Sequence, residues 1–129
     1  MVILALVAAI GIPVLARVAG GDPLADAVAR LRVVDREARS AARRGQVELT
    51  CDAGSMTLAD GDGNNGRRVV LEESITLERT AVDGQPLSRL TFDARGRSLD
   101  CVVRCTRADR VLVAHVSGLT GEWRLVETP

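Results

Sequence analysis

The sequence predicts an α+β fold in which an N-terminal helix, first apolar and then amphipathic, packs on a C-terminal antiparallel β-rich head. Three observations support this fold class. The first 16 residues carry no polar side chain, the next stretch repeats apolar residues every three or four positions, and the remainder consists of short β-branched runs separated by Gly, Asp and Pro. We divide the 129 residues into an apolar helix, an amphipathic helix and a β-rich head, which are residues 1–21, 22–45 and 46–129.

The apolar stretch MVILALVAAIGIPVLA predicts a helix that is hydrophobic on every side. Its 16 residues would span about 24 Å, which is less than the ~30 Å hydrocarbon core of a bilayer. Three interpretations stay open: a membrane helix whose beginning is missing, a helix packed among other helices, and a signal peptide cut near Ala16 or Gly20. No basic region precedes the apolar run, which argues against the signal peptide. Glycines and a proline predict a kink near residues 19–23.

The amphipathic helix is delimited by residues that commonly start and stop helices. Asp22 can cap the first turn, Pro23 suits the first helical position, and Gly45 is placed to end the helix. Its apolar stripe is Leu24, Val28, Leu31, Val34, Ala38 and Ala41. The opposite face predicts a solvated charged surface made of Arg30, Arg32, Arg36, Glu37, Arg39, Arg43 and Arg44.

Eight short strands are predicted in the head. Their expected ranges are 46–51, 55–59, 68–72, 75–79, 88–92, 98–104, 110–116 and 122–126. Strand 110–116, RVLVAHV, is apolar on both alternations, so we expect a central strand covered on both faces. The amphipathic helix is the element that would cover one of those faces.

Composition and motifs favour a protein without catalytic chemistry. Basic and acidic residues balance at 17 each and aromatic residues make up 2%, so the chain has neither a global positive field nor base-stacking platforms. His115 is the single histidine, and no nucleophile elbow or phosphate-binding loop accompanies it. We therefore predict no enzyme and no cofactor.

The loop DGDGNNG has the start of a calcium-binding loop but fails its later positions. Asp60, Asp62 and Asn64 alternate as calcium ligands do, whereas Asn65 replaces the required Gly and Leu71 replaces the required Glu. A Gly/Asn-rich hairpin explains the composition without a metal. We predict no metal site here.

Three cysteines, Cys51, Cys101 and Cys105, are candidates for one disulfide. In an extended strand the Cα atoms of Cys101 and Cys105 would lie about 13 Å apart, beyond the ~7 Å limit for a bridge. Pairing of Cys51 with either one across a sheet is sterically easier, and free thiols packed as small apolar groups are the other alternative.

Four segments follow one another in an order and spacing typical of a known family. An Ala-rich apolar run, VILALVAAIGIP, ends at Pro13, and an Ala/Arg-rich stretch, VARLRVVDREARSAARRGQVELTC, ends in Gly before a strand. A Phe-x-x-x-Gly-x-Ser segment follows at Phe92, Gly96 and Ser98, and the closing segment HVSGLTGEWRLVE turns at Gly121. In this order the segments resemble type IV pilin-like proteins, and among them the H-class minor pseudopilins of type II secretion.

The resemblance implies a structural stalk-and-head subunit. Its apolar helix would hold it in the inner membrane as a single-pass protein with the head in the periplasm, and would later pack among other pilins or pseudopilins in a fibre. The implied partners are those subunits, the inner-membrane secretion platform and the lipid bilayer. The implied function is to help initiate the fibre and so to support protein secretion.

The family's N-terminal processing motif, a basic leader ending in Gly before a Phe that becomes methylated, is absent from the sequence. About nine residues of mature helix and the leader are therefore expected to be missing, which would bring the apolar helix to a full membrane span. Two alternatives remain. One is a type IV pilus minor pilin that binds DNA during uptake through Arg95 and Arg97; the other is a secreted β domain with a cleaved signal peptide.

Overall fold

A computed structural model of the chain describes residues 22–61 and 65–128. In these residues one helix, α1 (Pro23–Ala42), precedes eight strands. The strands are β1 (Val47–Cys51), β2 (Ser55–Asp60), β3 (Asn65–Val70), β4 (Thr76–Ala81), β5 (Arg89–Thr91), β6 (Cys101–Arg107), β7 (Arg110–Val116) and β8 (Trp123–Thr128).

The strands form two four-stranded sheets in which every pairing is antiparallel. Sheet one has the order β3-β2-β1-β5, and sheet two has the order β4-β6-β7-β8. Helix α1 packs on strands of both sheets. The predicted α+β fold, a helix packed on an antiparallel β-rich head, is confirmed.

Helix α1 begins as the sequence predicts and ends earlier. The Asp22 carboxylate accepts a 3.0 Å hydrogen bond from the Leu24 backbone N–H, and Pro23 occupies the first helical position, where its missing N–H leaves no helical bond unmade. The helix ends at Ala42 with Arg43 as the C-cap, so the prediction that Gly45 ends it is wrong. Backbone N–H groups of Arg43 and Arg44 close the last turn onto carbonyls within the helix, which therefore needs no glycine cap.

One hydrophobic core is shared by the helix and both sheets. Leu31 of α1, Leu49 of β1 and Cys105 of β6 are each 0% exposed. Five of the six predicted stripe residues of the helix are buried; Ala41 is half-buried, and the adjacent Ala42 is buried at 5% exposure. Apart from Trp123, the buried core consists of aliphatic and sulfur-containing side chains that interdigitate between the layers.

Two strands are displaced from their predicted ranges. The strand expected at 68–72 is Asn65–Val70, and the strand expected at 98–104 is Cys101–Arg107. In the first case, pairing with β2 extends the strand into polar residues that intrinsic strand propensity does not favour. In the second case, residues 98–100 make side-chain and loop hydrogen bonds instead of ladder bonds.

Strand β7 is central, between β6 and β8, but it is not covered on both faces as predicted. Leu112, Ala114 and Val116 face the core, whereas Val113 is half-buried and His115 is exposed on the outer face. Among the described residues nothing covers that outer face, because the helix packs on the inner one. One face of an antiparallel sheet can be solvated, and the apolar composition of this strand gave no indication that its outer face is.

Several predictions fall outside the described residues. They are the apolar helix 1–21 with Pro13, the start of the kink near 19–23, and loop positions Asp62 and Asn64. Within the described residues, α1 is too polar to cross a bilayer and no other helix is present that could do so. The described residues likewise contain no cluster of His, Cys, Asp and Glu able to hold a metal ion.

Candidate interaction site

Arg39 of α1 is the centre of a buried polar cluster, although the sequence predicted it on the solvated face. The residue is 7% exposed, because it faces the loop before β6 and the turn between β7 and β8. Its guanidinium donates to Asp35 Oδ2 at 2.9 Å and Oδ1 at 3.4 Å, to the carbonyls of Gly96 at 3.2 Å and Gly118 at 3.0 Å, and to Ser98 Oγ at 3.2 Å. These five bonds use all five N–H donors of an arginine.

Asp35 lies one helical turn before Arg39 and is 3% exposed. Besides the two bonds from Arg39, its Oδ2 accepts a 3.1 Å hydrogen bond from the indole N–H of Trp123 at the start of β8. A buried ion pair is tolerated only when its desolvated atoms are hydrogen-bonded, and this pair meets that requirement. The pair therefore ties the C-terminal half of the helix to sheet two.

The loop between β5 and β6 is shaped to reach the arginine. Asp93 organises a tight turn by accepting hydrogen bonds from the backbone N–H groups of Arg95 and Arg97, both at 2.9 Å. These bonds hold the pKa of the Asp93 carboxyl below its usual range. Gly96 then adopts φ +79°, and a Cβ there would lie 2.6 Å from the carbonyl oxygen of Arg39. Only glycine permits both the backbone angle and the close approach.

The turn between β7 and β8 closes the cluster from the other side. Gly121 has φ +76°, and a Cβ there would lie 2.9 Å from Cδ of Arg39. At Gly118 a Cβ would collide with the carbonyl group of Ser98, whose N–H donates to Gly118 O at 2.9 Å. Both glycines thus let the turn lie directly against the arginine and the loop before β6.

The motif positions singled out in the sequence meet at this cluster. Gly96, Ser98 and Gly121 contact Arg39 as described, and the Arg39 guanidinium lies 5.2 Å from the centroid of the Phe92 ring. That distance is within the range of a cation–π interaction. The spacing Phe-x-x-x-Gly-x-Ser therefore has a structural reason, since each named residue contacts one arginine.

A groove of about 230 Å³ opens beside this cluster, between α1 and the β7–β8 turn. Its lining residues are Arg32, Arg36, Arg39, Ser40, Arg43, Thr120, Gly121 and Trp123. No carboxylate lines it. Arg32, Arg36 and Arg43 are exposed, so this groove presents a positive surface to solvent.

Arg79 of β4 is a second buried arginine, at 4% exposure, and it joins the two sheets. It donates to the carbonyls of Leu49 at 2.8 Å, Ser88 at 3.0 Å and Leu87 at 2.8 Å. Its Nη1 has no protein partner among the described residues. Burial lowers the pKa of this guanidinium, and the nearby Cys51 and Cys101 act in the opposite direction.

The three cysteines are free thiols. Cys101 and Cys105 are buried on the inner face of one continuous strand, β6, whose geometry rules out a bond between them. Burial raises the pKa of each of these two thiols to about 11. Cys51 is half-buried at the end of β1, and burial also raises its pKa.

The two candidate DNA contacts differ in their surroundings. The Arg97 side chain is paired with Asp93 at 2.9 Å, whereas Arg95 is exposed and its backbone carbonyl accepts a 3.5 Å hydrogen bond from Arg43 Nε. His115 lines a different recess, with Asp100, Glu122 and Arg124, at the end of sheet two. Cys101 and Ser117 line the same recess, and among the described residues neither side chain is hydrogen-bonded to His115.

Sequence reasoning missed Asp35, Arg39, Arg79 and Trp123 as buried polar residues. One signal was available for Asp35. Asp35 lies four residues after the buried Leu31 and directly after the buried Val34, so it falls on the apolar side of the helix. An acidic residue at a core position of the helix requires a basic partner, and Arg39 is one turn away.

Comparison with known proteins identifies a similar fold but no relative by sequence. The sequence matches no protein-family profile and no curated protein. The structure is similar to the minor pseudopilin EpsH from the type 2 secretion system of Vibrio cholerae, with a TM-score of 0.53 and 15% sequence identity. The similarity covers 81% of this chain and 93% of that one.

The chain has the fold of a minor pseudopilin. The expected pilin-like architecture is thereby confirmed at the level of the fold. Each N–H donor of the Arg39 guanidinium is used within the chain. What the arrangement does physically is to fix the helix to the head.

Proposed function

We propose that this chain is a structural subunit of a type II secretion pseudopilus, a minor pseudopilin. The observation that carries the proposal is the similarity of fold to EpsH over 93% of that chain. The order of the sequence motifs, and their meeting at Arg39, adds support that does not depend on overall identity. The subunit acts through shape and contact surfaces, without bond-making chemistry.

In this proposal the apolar residues 1–21 anchor the subunit in the inner membrane, with the head in the periplasm. The same residues then pack among the helices of other pseudopilins as the subunit leaves the bilayer. The inner-membrane secretion platform is the site of that transfer. A minor subunit of this kind contributes to starting the fibre, which moves folded substrates outward.

The buried cluster gives the proposed subunit a rigid connection between stalk and head. Arg39 bonds to residues 57 and 79 positions away in sequence, in two separate loops. A subunit that assembles through its helix must present its head in a fixed orientation to its neighbours. The Asp35–Arg39 pair provides that orientation on the helix side of the head.

Deletion of the gene in its native host tests the function. We expect loss of secretion of type II substrates into the medium, and its recovery with the wild-type gene on a plasmid. Recovery should fail with Arg39→Met, which breaks the cluster, and should succeed with the exposed Arg44→Met. Unchanged secretion in the deletion strain, together with loss of DNA uptake, would assign the chain to a type IV pilus instead.

The N-terminus of the native protein tests the anchoring and processing. A methylated Phe ahead of the apolar run, in protein recovered from the inner membrane, is the expected result. A mature N-terminus within residues 17–22, in protein recovered free of membrane, would instead identify a secreted β domain with a cleaved signal peptide.

A further inference from the structure

The groove beside α1 is built around a stripe of arginines. Arg32, Arg36, Arg39 and Arg43 follow the spacing i, i+4, i+7 and i+11, which places them along one side of a helix over about 16 Å. Arg39 turns inward to its cluster, and the other three remain exposed. The wall opposite the helix is the turn around Thr120 and Gly121, so the arginines line a recess and not an open convex face.

Three of the four arginines that line the groove, Arg32, Arg36 and Arg43, have no ion pair among the described residues, whereas Arg39 is paired with Asp35. Asp35, beneath the groove, already accepts bonds from Arg39 and Trp123. Ion pairs of the described residues lie elsewhere on the head, for example at Arg97, Arg104 and Arg110. None of them includes Arg32, Arg36 or Arg43.

We propose that this groove is a docking site for a carboxylate-rich peptide segment of a second protein. A guanidinium offers two parallel N–H donors that match the two oxygens of a carboxylate, and such paired bonds are stronger than neutral hydrogen bonds. Three exposed guanidinium groups in one recess therefore suit a segment with several Asp or Glu residues. The inference goes beyond the secretion role and holds whichever fibre contains the subunit.

The structure favours a peptide over a nucleic acid. Single-stranded nucleic acids are held by stacking on exposed aromatic rings as well as by charge. The chain has two aromatic residues, and both are engaged: Phe92 packs against Arg39, and Trp123 is 7% exposed with its indole N–H bonded to Asp35. Basic residues outside the groove are interleaved with acidic partners at Asp93 and Glu78, which limits a continuous phosphate track.

Binding of a ten-residue glutamate peptide to the full chain in a non-ionic detergent tests the proposal. Trp123 lines the groove and is the single tryptophan in a chain without tyrosine, so its fluorescence and indole N–H resonance report on the groove itself. We expect saturable binding that shifts the Trp123 signals and weakens with added salt. A ten-residue glutamine peptide is expected to leave both signals unchanged.

Paired charge-removing variants locate the binding. Arg32→Gln with Arg36→Gln should weaken glutamate-peptide binding about tenfold, and Arg43→Gln alone should weaken it less. The matched control, Arg30→Gln with Arg44→Gln, removes the same charge from exposed positions of the same helix region outside the groove and should change binding by less than about twofold. All three variants should unfold at the wild-type temperature. A lower unfolding temperature would show that weaker binding results from damage to the fold.

Several outcomes would overturn the proposal. Equal weakening by the two double variants would mean that net charge, and not the groove, attracts the peptide. Absence of saturable binding at about 1 mM peptide would exclude a docking site of useful affinity. Tighter binding of a ten-nucleotide DNA strand, or of vesicles containing anionic lipid, would assign the groove to a different class of partner.

Discussion

At the scale of single residues, Arg39 shows how a charge can be buried without being left unsatisfied. Its five donors reach acceptors on the helix, on the loop before β6 and on the turn before β8. Asp35 supplies the compensating charge, and its Oδ2 also accepts a hydrogen bond from the indole N–H of Trp123. Removal of one partner leaves the others buried and unpaired, so the cluster behaves as a unit.

We predict that Arg39→Met lowers the free energy of unfolding by about 3–5 kcal/mol, because it leaves the Asp35 carboxylate buried without its cation. Urea unfolding followed by Trp123 fluorescence measures the change. The exposed Arg36→Met on the same helix should alter the stability by about 0.5 kcal/mol or less. Combining Asp35→Leu with Arg39→Met should recover much of the loss; a double variant as unstable as the sum of both single variants would contradict the pairing.

At the scale of elements, one contact at each end of the helix positions it on sheet two. Its N-terminus is capped by Asp22, whose carboxylate also accepts two hydrogen bonds from Arg110 of β7, at 2.8 and 2.6 Å. Near its C-terminus, the left-handed Gly96 lets the loop before β6 approach the backbone of Arg39. The helix is thus attached to sheet two at both ends.

We expect Gly96→Ala to destabilise the fold by about 1–3 kcal/mol, because the new Cβ would meet the Arg39 carbonyl in a backbone conformation that alanine rarely adopts. Gly54→Ala is the control, since its Cβ would meet nothing within 4 Å and its φ is not in the left-handed region. Thermal unfolding of the two variants side by side gives the comparison. Equal midpoints would show that the loop relaxes away from the helix without loss.

The Asp22 cap predicts a pH dependence. Hydrogen bonds from Arg110, with those from the backbone, hold the pKa of Asp22 below its usual value near 3.8. Its contribution is therefore complete above that usual value and is lost as the pH falls through the lower folded-state pKa. Asn caps a helix about as well as Asp, so Asp22→Asn should lose only the partly exposed charge pair with Arg110, about 0.2–1 kcal/mol at pH 7, and the difference from wild type should narrow at pH 2–3. The exposed Asp109→Asn is the control and should be as stable as wild type at both pH values. If the stability difference between Asp22→Asn and wild type were the same at pH 2–3 as at pH 7, the charge-based explanation would be refuted.

At the scale of the whole molecule, the two sheets and the helix are held by one core in which thiols and aliphatic side chains replace aromatic ones. Arg79 adds a polar connection, since this β4 residue donates to carbonyls of β1 and of the segment before β5. The layers are therefore joined by two buried arginines, one on the helix side and one between the sheets.

The buried thiols predict lower stability in alkali. Burial raises the pKa of Cys101 and of Cys105 to about 11 in the folded state, whereas exposed thiols of the unfolded chain ionise near 8.5–9. The contribution of the two thiols to stability should be constant below pH 8 and fall as the pH rises from about 9 to 11, since only the unfolded state then loses these protons. Urea midpoints across this range measure the effect. The variant Cys101→Ala with Cys105→Ala should be less stable at neutral pH but should show a flatter alkaline profile.

The periodicity of apolar residues predicted where the helix and strands lie better than it predicted which polar residues they bury. The helix and all eight strands lie close to their predicted ranges because burial imposes a repeat of about 3.6 residues on the helix and of two on strands. Hydrophobicity alone could not reveal that Arg39 is buried or that one face of β7 is open, since both depend on contacts distant in sequence. The motif glycines Gly96 and Gly121 were visible in the sequence, but their common neighbour Arg39 was not.

The lateral attachment of α1 also determines how the subunit responds to a mechanical load. A pull on the N-terminal end of the helix reaches the head through the Asp22–Arg110 pair and the Arg39 cluster before it reaches the short connection to β1. These contacts lie at both ends of α1, so a force on the helix is divided among them and is not carried by one connection alone. The head is thus attached to α1 along the helix, so tension on α1 reaches sheet two through these contacts as well as through the connection to β1.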